Sequence, residues 1–367
     1  MAARTARAWV RIAAVAVLLA GVSVAGCGGG GSSSDEKGGT IALLLPETKT
    51  TRYEEQDKPN FEKRVHEICK NCQVIYSNAN QDPAKQQQQA EAAITKGAKV
   101  IVISAVDVES AGAIVRSAKQ RGVKVIAYGR LIPNANIDYY VSIDPYKVGQ
   151  QQAQSQMKAL TANGQSNPRI VMINGAPTDS NSKPYKDGAA SVFKQQGAQI
   201  VKSYDTPDWS PDKAQQEMDQ SITTLGKTGF DGVYVANDGM ASGAIAALEG
   251  AGINPGSRSV TGQDAELAGV QRILAGKQLM TVYQPIIQIA RTSAELAVPL
   301  AQGKKPPAKL TPDPVDNGQK KVPSALLATT EITKSNIDQT VVKDGFLKAP
   351  DICTSAYASA CKAAGVS

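Results

Sequence analysis

Seven polar or aromatic side chains stand where short apolar runs give out. Arg52 and Tyr53 follow "IALLLP", Arg130 follows "VIAYG", Asn181 follows "VMING", Trp209 follows "VKSYD", Asn237 follows "GVYVA" and Asp264 follows "SVTGQ". Fork-shaped guanidinium groups, amides and a carboxylate satisfy hydroxyl groups, which both donate and accept, while flat aromatic rings suit an apolar C–H face. The set fits a polyhydroxylated ring of the aldose type. Each residue also has a plainer reading alone: surface charge for Arg52 and Arg130, a turn or cap for Asn181 and Asp264, and an N-cap for Asn237 ahead of a helix near Met240. Their shared placement at strand ends argues for one site.

Other chemistries fit less well. Asp179 and Asp264 are a carboxylate pair of the kind that cleaves glycosidic bonds, but no nucleophile with its base accompanies them, and "NGAPTDSNSKPYKDG" lacks the spacing of a phosphate loop. No metal or other cofactor is expected. The single histidine, His66, lies in a helical stretch whose Phe61, Val65 and Ile68 face inward, which makes it a solvated side chain rather than a ligand. Four cysteines form two local pairs, Cys69 with Cys72 in "CKNC" and Cys353 with Cys361. Two intervening residues suit thiol exchange, yet the tryptophan-bearing context of such motifs is missing, and a structural disulfide is the preferred reading.

The elements that must position these groups alternate. "GTIALLLP", "CQVIYSNA", "AKVIVISAV" and "VKVIAYG" read as strands, separated by helices over 60–69, 83–97 and 109–122. A second series starts at "IDYYVSID" and runs through "PRIVMING", "AQIVKSYDT", "FDGVYVAND", "RSVTGQD" and "LMTVYQP", each followed by a helical segment. Short Val- and Ile-rich runs between amphipathic helices predict parallel sheets covered on both faces. The fold class is therefore α/β, with two doubly wound lobes and a ligand site between them at the carboxyl ends of the strands.

With 367 residues, 42% hydrophobic and 20% charged, the chain is long enough for two ordinary cores. Arg4, Arg7 and Arg11 supply three of its seven net positive charges. The remaining +4 is too dispersed for a nucleic-acid partner. The opening "MAARTARAWVRIAAVAVLLAGVSVAGC" has a basic start, an apolar run from Ile12 to Ala20 and small residues before Cys27, which marks residues 1–26 as an export signal. The run is shorter than the ~20 residues a membrane span needs. Residues 27–39, with "GGGGSSSDEKGG", read as a flexible tether.

Two resemblances add to this reading. "VAGC" resembles the lipobox of bacterial lipoproteins, which implies cleavage before Cys27, a diacylglycerol on its thiol, and a body held on the outer face of the cytoplasmic membrane. "AYGRLIPNANIDYYVSIDPYKVGQ", "ANDGMASGAIAALEGAG", "TGQDAELAGVQRILAGKQLMTVYQPI" and "TVVKDGF" resemble the type I periplasmic sugar-binding proteins of ABC transporters, in particular their D-xylose-binding branch. The likeness runs from Thr40 to Phe346.

It implies an N-terminal lobe of residues 40–143 and 284–319 and a C-terminal lobe of 144–283 and 320–348. They would be joined by a three-segment hinge near 142–145, 283–285 and 317–322. It makes Arg52 and Arg130 clamps, Asn181, Asn237 and Asp264 hydroxyl partners, and Trp209 and Tyr53 stacking rings. The sequence departs from that branch at three places: Tyr53 replaces Trp, Gly129 replaces Asp, and Gln284 replaces Lys, with Gln284 still counted among the binding residues. The implied ligand is a monosaccharide, D-xylose or a related aldose, delivered by a monomer to a membrane permease. A sugar sensor and, further off, a carbohydrate-active enzyme are the alternatives. Repressors that share this core carry a helix-turn-helix where this chain has its signal. Residues 349–367 form an extension, read as a surface hairpin or short helix pinned by Cys353–Cys361, with no function assigned.

Overall fold

The computed structural model describes residues 38–367; the export signal, Cys27 and most of the tether lie outside the described residues. The strands in chain order are Thr40–Leu45 (β1), Gln73–Asn78 (β2), Val100–Ile103 (β3), Lys124–Tyr128 (β4), Tyr139–Ile143 (β5), Arg169–Asn174 (β6), Gln199–Asp205 (β7), Gly232–Val235 (β8), Thr281–Tyr283 (β9), Val315–Asp316 (β10), Lys321–Val322 (β11), Ser324–Leu327 (β12) and Thr330–Ile332 (β13). The helices are Lys58–Ile68 (α1), Pro83–Thr95 (α2), Gly112–Gln120 (α3), Pro145–Ala162 (α4), Ser182–Gln195 (α5), Pro211–Leu225 (α6), Asp238–Gly250 (α7), Leu267–Leu274 (α8), Ile286–Ala301 (α9), Ala349–Ile352 (α10) and Ala358–Ala364 (α11). Several starts are written in the sequence. Asp82, Asp144 and Ser210 each accept a backbone N–H of the first turn while a proline, whose missing N–H would have no helical partner, occupies the first helical position.

The first lobe is a six-stranded sheet in the order β12-β5-β4-β3-β1-β2, parallel throughout. β1 and β3 are buried on both faces, as their unbroken apolar runs require. In the second lobe β7-β6-β8 form a parallel sheet and β9 pairs with β13 in antiparallel fashion. Both lobes are the expected α/β structures.

Three details differ from the sequence expectation. β5 joins the first sheet, where the lobe bounds of 40–143 place it, instead of opening the second series, because Ile126–Tyr128 of β4 pair with Tyr139–Val141. "RSVTGQD" is not a strand. There the hydroxyl of Thr261 takes the Val235 N–H at 2.8 Å and donates to the Val235 carbonyl at 3.0 Å, displacing the backbone ladder. The segment still lies between β8 and β9, through Thr261 N–H to the Val233 carbonyl and Val282 N–H to the Gly262 carbonyl. Finally, residues 317–322 are not a crossover: they run through the β10–β11 hairpin, and β12 pairs with the otherwise open edge of β5. The chain leaves the first sheet after Leu327, so 320–327 belongs with the first lobe.

Cys69 and Cys72 are bonded and both sulfur-bearing residues are buried, which removes the exposed face that thiol exchange needs. Cys353 and Cys361 are bonded as well, in an extension that consists of α10 and α11. Ile352 and Cys361 are buried, and Gln271 of α8 donates to the Asp351 carbonyl at 3.1 Å. His66 is exposed, as expected, above a buried Phe61 and Val65. Among the described residues no helix is long and apolar enough to cross a membrane, and no group of potential metal ligands is assembled.

Candidate ligand-binding site

Thirteen residues from both lobes line a cavity of about 30 Å3, room for little more than a water molecule or two, so a larger ligand enters only if the walls part. All eight binding residues expected from the sequence line it: Arg52, Tyr53, Arg130, Asn181, Trp209, Asn237, Asp264 and Gln284. Thr50, Gly129, Asp179, Tyr185 and Gln263 complete the wall. Tyr185 and Gln263 escaped the sequence reading for different reasons. Tyr185 lies one turn into α5, where a ring at helical spacing looks like core. Gln263 precedes the acid that drew attention.

The first lobe contributes the cations. Arg52 donates through Nη1 to both oxygens of buried Asp57 at 3.0 Å, and its Nε lies 3.4 Å from Asp264 of the other lobe. Its guanidinium sits 4.4 Å from the Tyr53 ring centroid, a cation–π contact. Burial works against the Arg52 charge, but Asp57, with smaller help from Tyr53 and Asp264, more than offsets it and holds the pKa well above its ordinary value. Burial pushes Asp57 up to about 6 while Arg52 and the Tyr128 hydroxyl, which donates to it, pull the other way. Arg130 is held by Asp179 at 2.8 Å across the cleft and donates to the Ala105 carbonyl at 2.8 Å.

The second lobe contributes acceptors, amides and rings. Asp264 accepts from Gln284 at 2.8 Å and, at 3.4 Å, from Gln263. Burial raises its pKa, and Arg52 opposes that shift most strongly. Both carboxylates of the pair that suggested hydrolysis are thus engaged by arginines. Asn237 caps α7, its Oδ1 accepting the Met240 N–H at 2.9 Å, and the residue also lines the cavity. Neighbouring Asp238 does not line the cavity. It is fully buried and accepts from Gln278 Nε2, Thr281 Oγ1 and the Glu266 backbone N–H, at 2.6, 2.8 and 3.0 Å. That ties down the loop which carries Asp264.

Two wall residues and one neighbour of each sit in left-handed backbone: Trp209 with Asp208, φ 52° and 61°, and Asp264 with Ala265, φ 91° and 51°. Such conformations are strained for residues with a Cβ and collect at functional sites. Trp209 is held edge-on to Tyr185, centroids 6.4 Å apart, and backed by Gly175, where a Cβ would fall 2.1 Å from the ring. At Gly129 φ is +70°, and its carbonyl accepts from Asn181 Nδ2 at 2.9 Å and Ser142 Oγ at 2.7 Å. The backbone there supplies an acceptor where the resembling branch has an aspartate. Gln284 likewise retains a donor to Asp264 without the lysine charge.

A model of the periplasmic binding protein domain matches residues 41–305. The chain belongs to the periplasmic binding protein family. This binding protein is 36% identical over 316 residues to a D-xylose-binding periplasmic protein of Escherichia coli (strain K12), covering 85% of this chain and 92% of that one. It is 33% identical over 330 residues to the multiple sugar-binding periplasmic receptor ChvE of Rhizobium radiobacter, covering 86% and 92%. Among solved structures, an ABC-transporter solute-binding protein of Clostridium phytofermentans with bound β-D-glucose superposes with a TM-score of 0.75 at 28% identity, covering 85% of this chain and 99% of that one. The family is one of solute-binding proteins, not enzymes.

Proposed function

We propose that this protein captures a monosaccharide, D-xylose or a related aldose, between its lobes and delivers it to an ABC-transporter permease from a lipid anchor at Cys27. The observation that carries the reading is the cavity wall. Two buried guanidinium groups from one lobe face carboxylate, amide and aromatic groups from the other, and a pyranose has the hydroxyl edge and apolar faces to match. Arg52, Arg130, Asn181, Asn237, Asp264 and Gln284 would bond hydroxyls, and Tyr53 and Trp209 would cover the ring faces. The connections at 143–145, 283–286 and 327–330 would bend to open and close the cleft. Support also comes from the names of the relatives, which bind D-xylose, several sugars or β-D-glucose.

The test is calorimetric titration of the purified protein with D-xylose, D-ribose, L-arabinose, D-glucose and D-galactose, repeated on Asp264→Ala. Tight binding of one or more aldoses, lost in the variant, is expected. No heat and no thermal stabilisation with any of them would overturn the sugar assignment.

A further inference from the structure

We propose that Gln263 is a ligand-reading residue, its side-chain carbonyl accepting a hydroxyl proton of the bound sugar; this rests on the sugar reading of the cavity. Gln263 lines the cavity and is 3% exposed. Its amide nitrogen faces Asp264 Oδ1 at 3.4 Å, and a carboxylate can only accept, which fixes that atom as nitrogen and leaves Oε1 as the other. Oε1 is buried and has no hydrogen-bond partner in the protein. A buried acceptor left unmet costs about 1–3 kcal/mol.

A second observation singles out the same wall. The indole Nε1 of Trp209, also in the cavity lining, is buried and unpartnered, so a donor there awaits a partner as well. Each sits on or beside one of the two left-handed pairs, 208–209 and 264–265. Backbone strain of this kind clusters at functional sites, and here it falls on both loops that present unmet polar atoms. A sugar hydroxyl, donor and acceptor at once, is the group that meets both needs.

The experiment uses the best-binding aldose of the panel and its monodeoxy analogues, titrated into wild type and Gln263→Met, which keeps volume and removes the acceptor along with the long Nε2 contact to Asp264. We expect Gln263→Met to bind the parent sugar about 10- to 100-fold more weakly with no fall in the melting temperature of the ligand-free protein. One deoxy analogue should lose affinity in wild type and lose nothing further in the variant. Gln263→Ala provides the same comparison if the methionine variant does not fold. Parent affinity unchanged in the variant, or equal further losses for every analogue, would overturn the role of Gln263 while leaving the sugar reading intact. Wild type that binds no aldose would overturn both.

Discussion

The two lobes solve the same problem with different regularity. In the first, six parallel strands run without a break and the site residues Arg52 and Arg130 simply follow strand ends. In the second, the ladder is interrupted between β8 and β9, where Thr261 substitutes a side-chain hydroxyl for backbone and Asp238 gathers three donors to hold the next turn. The interruption is where Asp264 is made. A continuous strand would point alternate residues to opposite faces; the irregular segment instead turns Gln263 and Asp264, adjacent in sequence, toward one cavity.

That contrast can be broken from the binding side first. Asp264→Ala removes the acceptor facing Arg52 and Gln284, and affinity for the best aldose should drop by about 2–5 kcal/mol, roughly 30-fold to several thousandfold by calorimetry. Equal affinity would mean that the broken segment serves only the fold.

The next largest effect is on stability against pH. Burial pushes Asp238 up to about 7, and burial together with the charge of Asp238 raises Glu266 well above its ordinary value. An acid whose folded pKa exceeds its unfolded one contributes stability below its unfolded value, about 4, and loses that contribution as the pH climbs to the folded one. The unfolding free energy of the ligand-free protein, from chemical denaturation, should therefore decline from pH 5 to 8, by an amount on the order of 2–4 kcal/mol. Asp238→Asn should flatten the decline. A wild-type profile that rises over this range would contradict the protonated pair.

Thr261→Val tests the substitution of hydroxyl for backbone directly. The Val235 N–H loses its partner, and a loss of about 1–3 kcal/mol in chemical denaturation is expected, with Thr261→Ser close to wild type. The smallest effect belongs to the regular lobe: His66→Gln, on the exposed face of α1, should change stability by less than about 0.5 kcal/mol and leave sugar binding alone.

The regular lobe was the more legible in sequence for the same reason. Continuous apolar runs and proline-led helix starts report backbone periodicity, and β1, β3 and α2 are where those signals put them. Strand-end residues such as Arg52, Asn181 and Trp209 were visible because polar and ring side chains are out of place beside apolar runs, and all of them reach one cavity. What sequence patterns missed depends on pairing between distant segments. β12 matches β5 across about 180 residues, and nothing local in "SALL" says that it joins the first sheet. Thr261 looks like an ordinary strand residue until its hydroxyl is seen bonding Val235. Gln263 shows its importance only through an atom that lacks a partner.

The glycine behind Trp209 has a consequence for thermodynamics. With a Cβ at residue 175 excluded by the ring, and Tyr185 against its edge, the indole is confined to one orientation. Stacking on such a ring forfeits little rotational freedom, whereas an aromatic free to swing would give up roughly 0.5–1.5 kcal/mol on being pinned. A larger residue at 175 would displace the indole, and a sugar that stacks on it as proposed would lose its fixed platform.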